Sequence, residues 1–367
     1  MPLPGLATVE GTQQFRDRAV SQRAIAFEHF RSAPGGLSLS SLGLGTYIGA
    51  PDAPTDYAVE QAVTVSVASG RVNVLDTAIN YRHQRAERSI GRALGRLVAK
   101  GEVPRASVFV ATKSGYFAPD GESKTPPDRW IEEQLVRPGI LDPADIVDGC
   151  HSMSRSYLLD QFERSRTNLG LEAIDLVYLH NAPDAQIPSI GREAFLGRLE
   201  EAFRVYEELR DARRLGSYGL ATWDSLRAPK SDPSYLPLET AARLARKVGG
   251  EEHGFRFVQF PFNVAMPEAA TLANQPAGKG VEPLFSAAGK LGIACFTSIP
   301  LMQGRLARSG PKRSGLSSAQ TALQFARSAP GSLAALVGQK DPVHLSENLE
   351  LAVRRPWDRA TFESLLT

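Results

Sequence analysis

The chain has 367 residues, of which 42% are hydrophobic and 22% charged, with a formal net charge of +2. That composition fits a globular protein with a sizeable core, long for one ordinary domain and normal for a single α/β barrel with insertions. Basic and acidic residues are interleaved, so there is no phosphate-backbone footprint and a nucleic-acid partner is not expected.

Residues 1–20 read as a polar tail or an isolated helix, followed by a single domain over 21–367. Ile25, Phe27 and Phe30, the turn-like Ala33-Pro34-Gly35-Gly36, then Leu37 and Leu39 predict a hairpin that plugs the amino end of a barrel. Eight short apolar runs follow, at 41–46, 72–78, 108–114, 176–181, 217–223, 257–263, 292–299 and 333–338. Helical spacing separates them: Val59, Val63 and Val67 recur by four, and Phe195, Leu199, Phe203, Tyr206 and Leu209 share one face. Asp341-Pro342 is an N-cap with proline at the first helical position. Strands too apolar to alternate, each followed by a helix, predict a parallel (β/α)₈ TIM barrel. Residues 115–154 are far longer than a usual βα loop. Their Trp130, Ile131, Leu135, Ile140, Leu141 and Ile146 are too apolar for a solvated linker, so the segment is expected to fold over the substrate pocket.

Cys150 and Cys295 lack metal-ligand spacing and point to a reducing compartment. The first twenty residues carry Glu10, Arg16, Asp17 and Arg18 with no apolar signal segment, and no run reaches the length of a membrane span. A cytoplasmic location without a membrane partner is expected. The sequence leaves the oligomeric state open.

Four ionisable residues stand where apolar runs stop: Asp76, Lys113 and His180 directly after strands, and Tyr81 one short turn past Asp76. Successive strands of a parallel barrel point such residues out of the same end, where the loops surround a concave mouth. Together they make an acid–base set. A tyrosine titrates near pH ~10 in water and needs a neighbouring cation to release its proton at neutrality. Lys113 can supply that cation, Asp76 can keep it charged, and His180 can hydrogen-bond a substrate oxygen. Two other readings compete. Gly43-Leu44-Gly45-Thr46-Tyr47-Ile48-Gly49 is nearly a dinucleotide fingerprint, but its third glycine is one position late and Pro-rich chain intervenes before the helix. Lys113 as a Schiff-base lysine is opposed by the carboxylate of Asp76, which would keep the amine protonated.

Asp76-Thr77-Ala78 with Tyr81, Glu87 and Gly91-Arg92-Ala93-Leu94 resembles the signature of the aldo-keto reductase family. Ala111-Thr112-Lys113 and the run ending in His180 resemble its lysine and histidine segments, Gly43 to Thr46 its first strand, and Val258-Gln259 with Asn263 its sixth. The resemblance spans roughly residues 37 to 352. It implies a nicotinamide-dependent oxidoreductase that reduces an aldehyde or ketone to an alcohol, or the reverse, with Tyr81 as general acid/base and a small-molecule carbonyl or alcohol as partner.

The same resemblance implies a cofactor site. Gly45, Thr46 and Asp76 would contribute from the first strands, and Thr222 and Gln259 from the fifth and sixth. Ser298, Pro300, Leu301 and Gly304 would follow the seventh strand; Gly338, Gln339, Lys340, His344, Glu347 and Asn348 would follow the eighth. Ala221-Thr222 replaces the family's usual Ser-Asn, and Ser298 stands where an aromatic residue usually stacks on the nicotinamide. His344 replaces a frequent arginine for the ribose 2′-phosphate, leaving Lys340 as the better cation and favouring NADPH/NADP+ over NADH. Tyr47, Tyr116, His151 and Trp223 are the candidates for touching substrate. The altered nicotinamide clamp keeps a second reading open: a redox-sensing barrel with little turnover, resembling the potassium-channel β subunits.

Overall fold

The computed structural model describes residues 1–366 and contains a closed barrel of eight parallel strands. A hairpin of β1 (Phe30–Ser32) and β2 (Ser38–Ser40) precedes it. The barrel strands are β3 (Leu42–Gly45), β4 (Val74–Asp76), β5 (Phe109–Ser114), β6 (Ile174–His180), β7 (Leu215–Ala221) and β8 (Phe255–Pro261). A small hairpin, β9 (Gln275–Ala277) and β10 (Gly280–Glu282), intervenes before β11 (Ala294–Ser298) and β12 (Ser332–Gly338), and β12 closes on β3. Helices cross between the strands, so β5 and β6 are buried along their whole length, and their polar residues, such as Asp175, Lys113 and His180, are held in place by partners or stand at the mouth.

Inward-facing Val74, Phe109, Leu176, Tyr178, Phe257, Phe296 and Leu336 fill the barrel, with the three phenylalanine rings 5.5 to 6.3 Å apart. Leu39 of the hairpin is fully buried in this same cluster, so the hairpin stoppers the amino end. Asn73, just before β4, ties hairpin to barrel: Oδ1 accepts from Ser40 N at 2.8 Å, and Nδ2 donates to Ser38 O at 2.9 Å and Ser107 O at 3.3 Å.

Of the two readings of residues 1–20, a polar tail or an isolated helix, a helix forms over Val9–Arg23, and it packs onto the hairpin. Phe15 meets Phe30 edge-on, Thr12 Oγ1 accepts from Ser38 N at 3.0 Å, and a Cβ on Gly11 would lie 2.4 Å from Ala106 O. Upstream, Leu3 exchanges backbone bonds with residues 170 and 172, and Ala7 N donates to the buried carboxylate of Asp175 at 2.6 Å.

At the other end β4 stops at Asp76, sooner than the sequence predicts, because the chain then turns to bring Tyr81 back over the strand ends. Arg82 of this turn pairs with buried Asp56, and Arg85 reaches the same carboxylate at 2.7 Å, which fixes the turn. Of the long segment 115–154, expected to fold over the pocket, Tyr116 alone lines the cavity, and the rest packs on itself. Its helix Pro127–Ile131 and the wider turn Glu132–Val136 carry Trp130 and Leu135 against Leu141 and Tyr157, with Ile131, Ile140 and Ile146 around them. These side chains bury one another against the helix Arg155–Leu169, leaving no apolar face to lay over the barrel.

Candidate active site

Lys113 lies inside the barrel mouth with its Nζ donating to Asp76 Oδ2 and to Thr77 O, both at 2.8 Å. Gln259 Nε2 donates to the other Asp76 oxygen at 2.8 Å, so the carboxylate is held from both sides. The ammonium stands 4.7 Å from the centroid of the Tyr81 ring, and Tyr81 meets His180 edge-on at 5.6 Å. The four strand-end residues therefore converge. Lys113 is 1% exposed and does not line the cavity, so it cannot attack a substrate carbonyl as a Schiff-base lysine would.

Burial alone would lower the Lys113 pKa; Asp76 and Tyr81 outweigh it and hold the amine charged. Burial raises the Tyr81 phenol above its ordinary value, and Lys113 opposes that rise. The phenol is thus protonated at neutral pH, the form a proton donor needs. His180 goes the other way: burial, then the charge of Lys113, holds its pKa well below the usual range, so the imidazole is neutral.

His151 does not touch the cavity. It is fully buried behind His180, where Nε2 donates to His180 O at 3.0 Å and Nδ1 accepts from Gln186 Nε2 at 3.0 Å. A carbonyl only accepts and an amide nitrogen only donates, so this pairing fixes a neutral imidazole, and burial lowers its pKa to about 4. Room for it comes from Gly115, at φ +124°, where a Cβ would sit 2.5 Å from His151 Nε2. The expected substrate contact is instead a support for the backbone of His180. Glu87 is likewise a buttress, accepting from Thr112 Oγ1 at 2.6 Å and Asn168 Nδ2 at 2.9 Å.

A cavity of about 820 Å³ opens from Tyr81 and His180 and runs across the mouth to the ends of β11 and β12. Of the sequence-predicted residues, Tyr47, Tyr116 and Trp223 line it beside Tyr81, together with Gly45, Thr46, Thr222 and Gln259. Ser298, Pro300, Leu301 and Gly304 form its far wall, with Gly338, His344, Glu347 and Asn348. Gln339 and Lys340 do not line it; they border an adjoining recess of about 100 Å³, on which His344 also abuts. Asn80, Asn181 and Arg308 line the cavity and were not singled out from the sequence. The loop after β11 is bent through left-handed backbone at Ile299, Met302 and Gln303, with φ of 46°, 45° and 53°. Such a φ is an outlier for a β-branched residue, and Asn263 Nδ2 braces it by donating to Ile299 O at 3.1 Å.

The model of the Aldo/keto reductase family matches residues 41–237, more than half of the chain. The chain belongs to the aldo/keto reductase family. Among solved structures, an aldo-keto reductase from Bacillus halodurans in its holo form is 17% identical with a TM-score of 0.61, over 93% of this chain and 97% of that one. An aldo-keto reductase from Klebsiella pneumoniae, solved in complex with NADPH, is 17% identical with a TM-score of 0.59, over 92% and 94%. At these identities the likeness shows the shared barrel. At the ends of β7 and β8, Thr222 is buried and the Gln259 amide is committed to Asp76.

Proposed function

We propose that the protein is an NADP(H)-dependent carbonyl oxidoreductase in which Tyr81 exchanges the proton on the substrate oxygen. The observation that carries this reading is the Asp76–Lys113–Tyr81 arrangement opening, beside a neutral His180, onto one elongated cavity. The cavity fits a dinucleotide in shape and in chemistry. Its far end offers Glu347 and Asn348, and the buried Oδ1 of Asn348 has no donor within the protein. Arg308 brings a cation to that end, with Lys340 next to it, which suits the extra phosphate of NADP(H) over NAD(H).

A bound reduced nicotinamide supplies hydride to the carbonyl carbon. Tyr81 gives its phenolic proton to the carbonyl oxygen, leaving a phenolate that the buried Lys113 ammonium stabilises. Asp76 holds Lys113 charged throughout, and neutral His180 orients the oxygen without competing as an acid. In the direction of alcohol oxidation the same phenolate takes the proton back. A rapid mix of the NADPH-loaded protein with simple aldehydes should show prompt loss of the reduced nicotinamide absorbance. Tyr81→Phe should slow that loss by about 10²- to 10⁴-fold while NADPH affinity stays within a few-fold. Near wild-type turnover in the variant would remove Tyr81 from the chemistry. A wild-type protein that binds NADPH and oxidises it with no aldehyde would instead be a nucleotide sensor.

A further inference from the structure

We infer that Asp184 is a positioning residue of this site: its carboxylate, reaching across from the helix Ala182–Ile190, fixes Trp223 as a rigid aromatic wall of the cavity. The effect on turnover rests on the proposed carbonyl chemistry; the clamp rests on hydrogen bonds alone.

Parallel pairing of β7 with β8 stops at Ala221, and the last bond along that edge is Thr222 N donating to Gln259 O at 2.8 Å. The next three backbone N–H groups have no strand to meet. All three turn onto one side chain. Asp184 Oδ1 accepts from Asp224 N at 2.7 Å and Ser225 N at 3.0 Å, while Oδ2 accepts from Trp223 N at 3.1 Å and Ser225 Oγ at 3.2 Å. Successive N–H groups gathered on one anion form a nest, and a charged acceptor makes each bond stronger than a neutral one would. The carbonyl of Trp223 is held as well. It accepts from Arg227 Nε at 3.0 Å, and this buried guanidinium also pairs with Asp224 and, at 2.7 Å, with Glu268. Both backbone polar groups of Trp223 are therefore taken, one by the neighbouring helix and one from further along its own loop.

The side chain is treated differently. The Trp223 indole is 42% exposed and lines the cavity, although its backbone is fixed on both sides. An indole left this open gains little from folding, so the fixed backbone serves what the ring meets in the cavity: the entropy of ordering the wall is lost on folding and not at each binding event. An acid in a first helical turn commonly serves its own helix dipole. Here all four bonds leave the helix for the neighbouring loop. Asp184 also lies four residues after His180, so it ties the loop after β6 to the loop after β7. The imidazole beside Tyr81 and the indole wall are thus held in one frame.

The chain has three tryptophans, so fluorotryptophan labelling gives three fluorine resonances, with Trp223 assigned by its loss in Trp223→Phe. In the nucleotide-free wild type the Trp223 signal should be single and sharp. Asp184→Ala should broaden or split it, as exchange between ring positions does, and leave Trp130 and Trp357 unmoved. A Trp223 signal unchanged in Asp184→Ala overturns the clamp. Changes at all three tryptophans would show a general loosening and overturn it equally. Turnover supplies a second arm, read as kcat/KM for butanal with NADPH. Asp184→Ala should lower it by about tenfold in the wild-type background and by less than about twofold in Trp223→Ala, since Asp184 acts through the ring. Equal losses in both backgrounds make Asp184 a purely structural residue and overturn the inference. Should Asp184→Ala not fold, Asp184→Asn gives the same readings, because it turns one acceptor oxygen into a donor facing donors. A wild type that binds NADPH and turns over no aldehyde overturns the oxidoreductase reading, and the fluorine signal then decides the clamp alone.

Discussion

Asn73 and Asn80 flank the same short strand, one entering β4 and one leaving it, and they are treated in opposite ways. Asn73 has both amide atoms bonded to the hairpin and to the loop before β5, and its backbone N donates to Ser40 Oγ at 3.1 Å. Asn80 has a buried oxygen with no protein donor, and at the same end of the barrel His180 Nδ1 and Thr77 Oγ1 are also unpartnered. A buried polar atom left unpaired costs about 1–3 kcal/mol. Asn73 is saturated and adds stability at the amino end of the barrel, while Asn80 leaves an acceptor open at the carboxyl end.

The sharpest way to break this contrast is at Asn73. Asn73→Leu should strand Ser40 N and Ser38 O in a closed site and lower stability by about 2–5 kcal/mol in a denaturant titration. Turnover per folded molecule should not change. A matching loss of kcat would mean the two ends are coupled.

Acid unfolding sharpens the same comparison. His29, beneath the hairpin, accepts from Ser41 Oγ and Arg327 Nη1 on Nδ1 and donates to Arg71 O, so it is neutral, and burial pulls its pKa to about 3. In the unfolded chain it titrates near 6.5. The unfolded state therefore binds more protons below pH 6.5, and stability present above that pH is lost as the pH falls toward 3. The expected loss is about 2 kcal/mol at pH 5 for His29, with a similar share from His151. His29→Gln should flatten this acid limb. A limb of unchanged slope would place the proton uptake elsewhere.

The smallest effect belongs to Tyr178, whose hydroxyl is buried inside the barrel without a partner. Tyr178→Phe should raise stability by up to about 1 kcal/mol with activity intact. Destabilisation instead would reveal that the hydroxyl is satisfied.

The barrel was legible because strands buried on both faces are rich in apolar residues, and the four converging ionisable residues because three of them stand at the ends of such runs and Tyr81 follows one short turn later. What escaped has specific causes. The helix Val9–Arg23 docks through Gly11, Thr12, Phe15 and Ala19, a face whose small residues allow close approach and leave almost no hydrophobic signal. The apolar residues of 115–154 do pack together, but against Tyr157, which lies outside the segment and carries no mark of its role. His151 was visible as a residue type; its direction is set by the missing side chain of Gly115. Arg308, four residues past Gly304 on the short helix Arg305–Ser309, offered the one usable signal, a cation following the glycine turn after β11.

The contacts of the first eight residues also set an order of events during synthesis. Leu3 and Ala7 are anchored on Gly170, Glu172 and Asp175, and the Ala7–Asp175 bond spans 168 positions. This segment thus has no docking site until the 168 positions that separate Ala7 from Asp175 have been synthesised. Closing so long a loop is slow relative to local helix and turn formation. Attachment of this segment to the base of β6 is consequently a late step of folding, and a nascent chain arrested before residue 175 would carry it undocked.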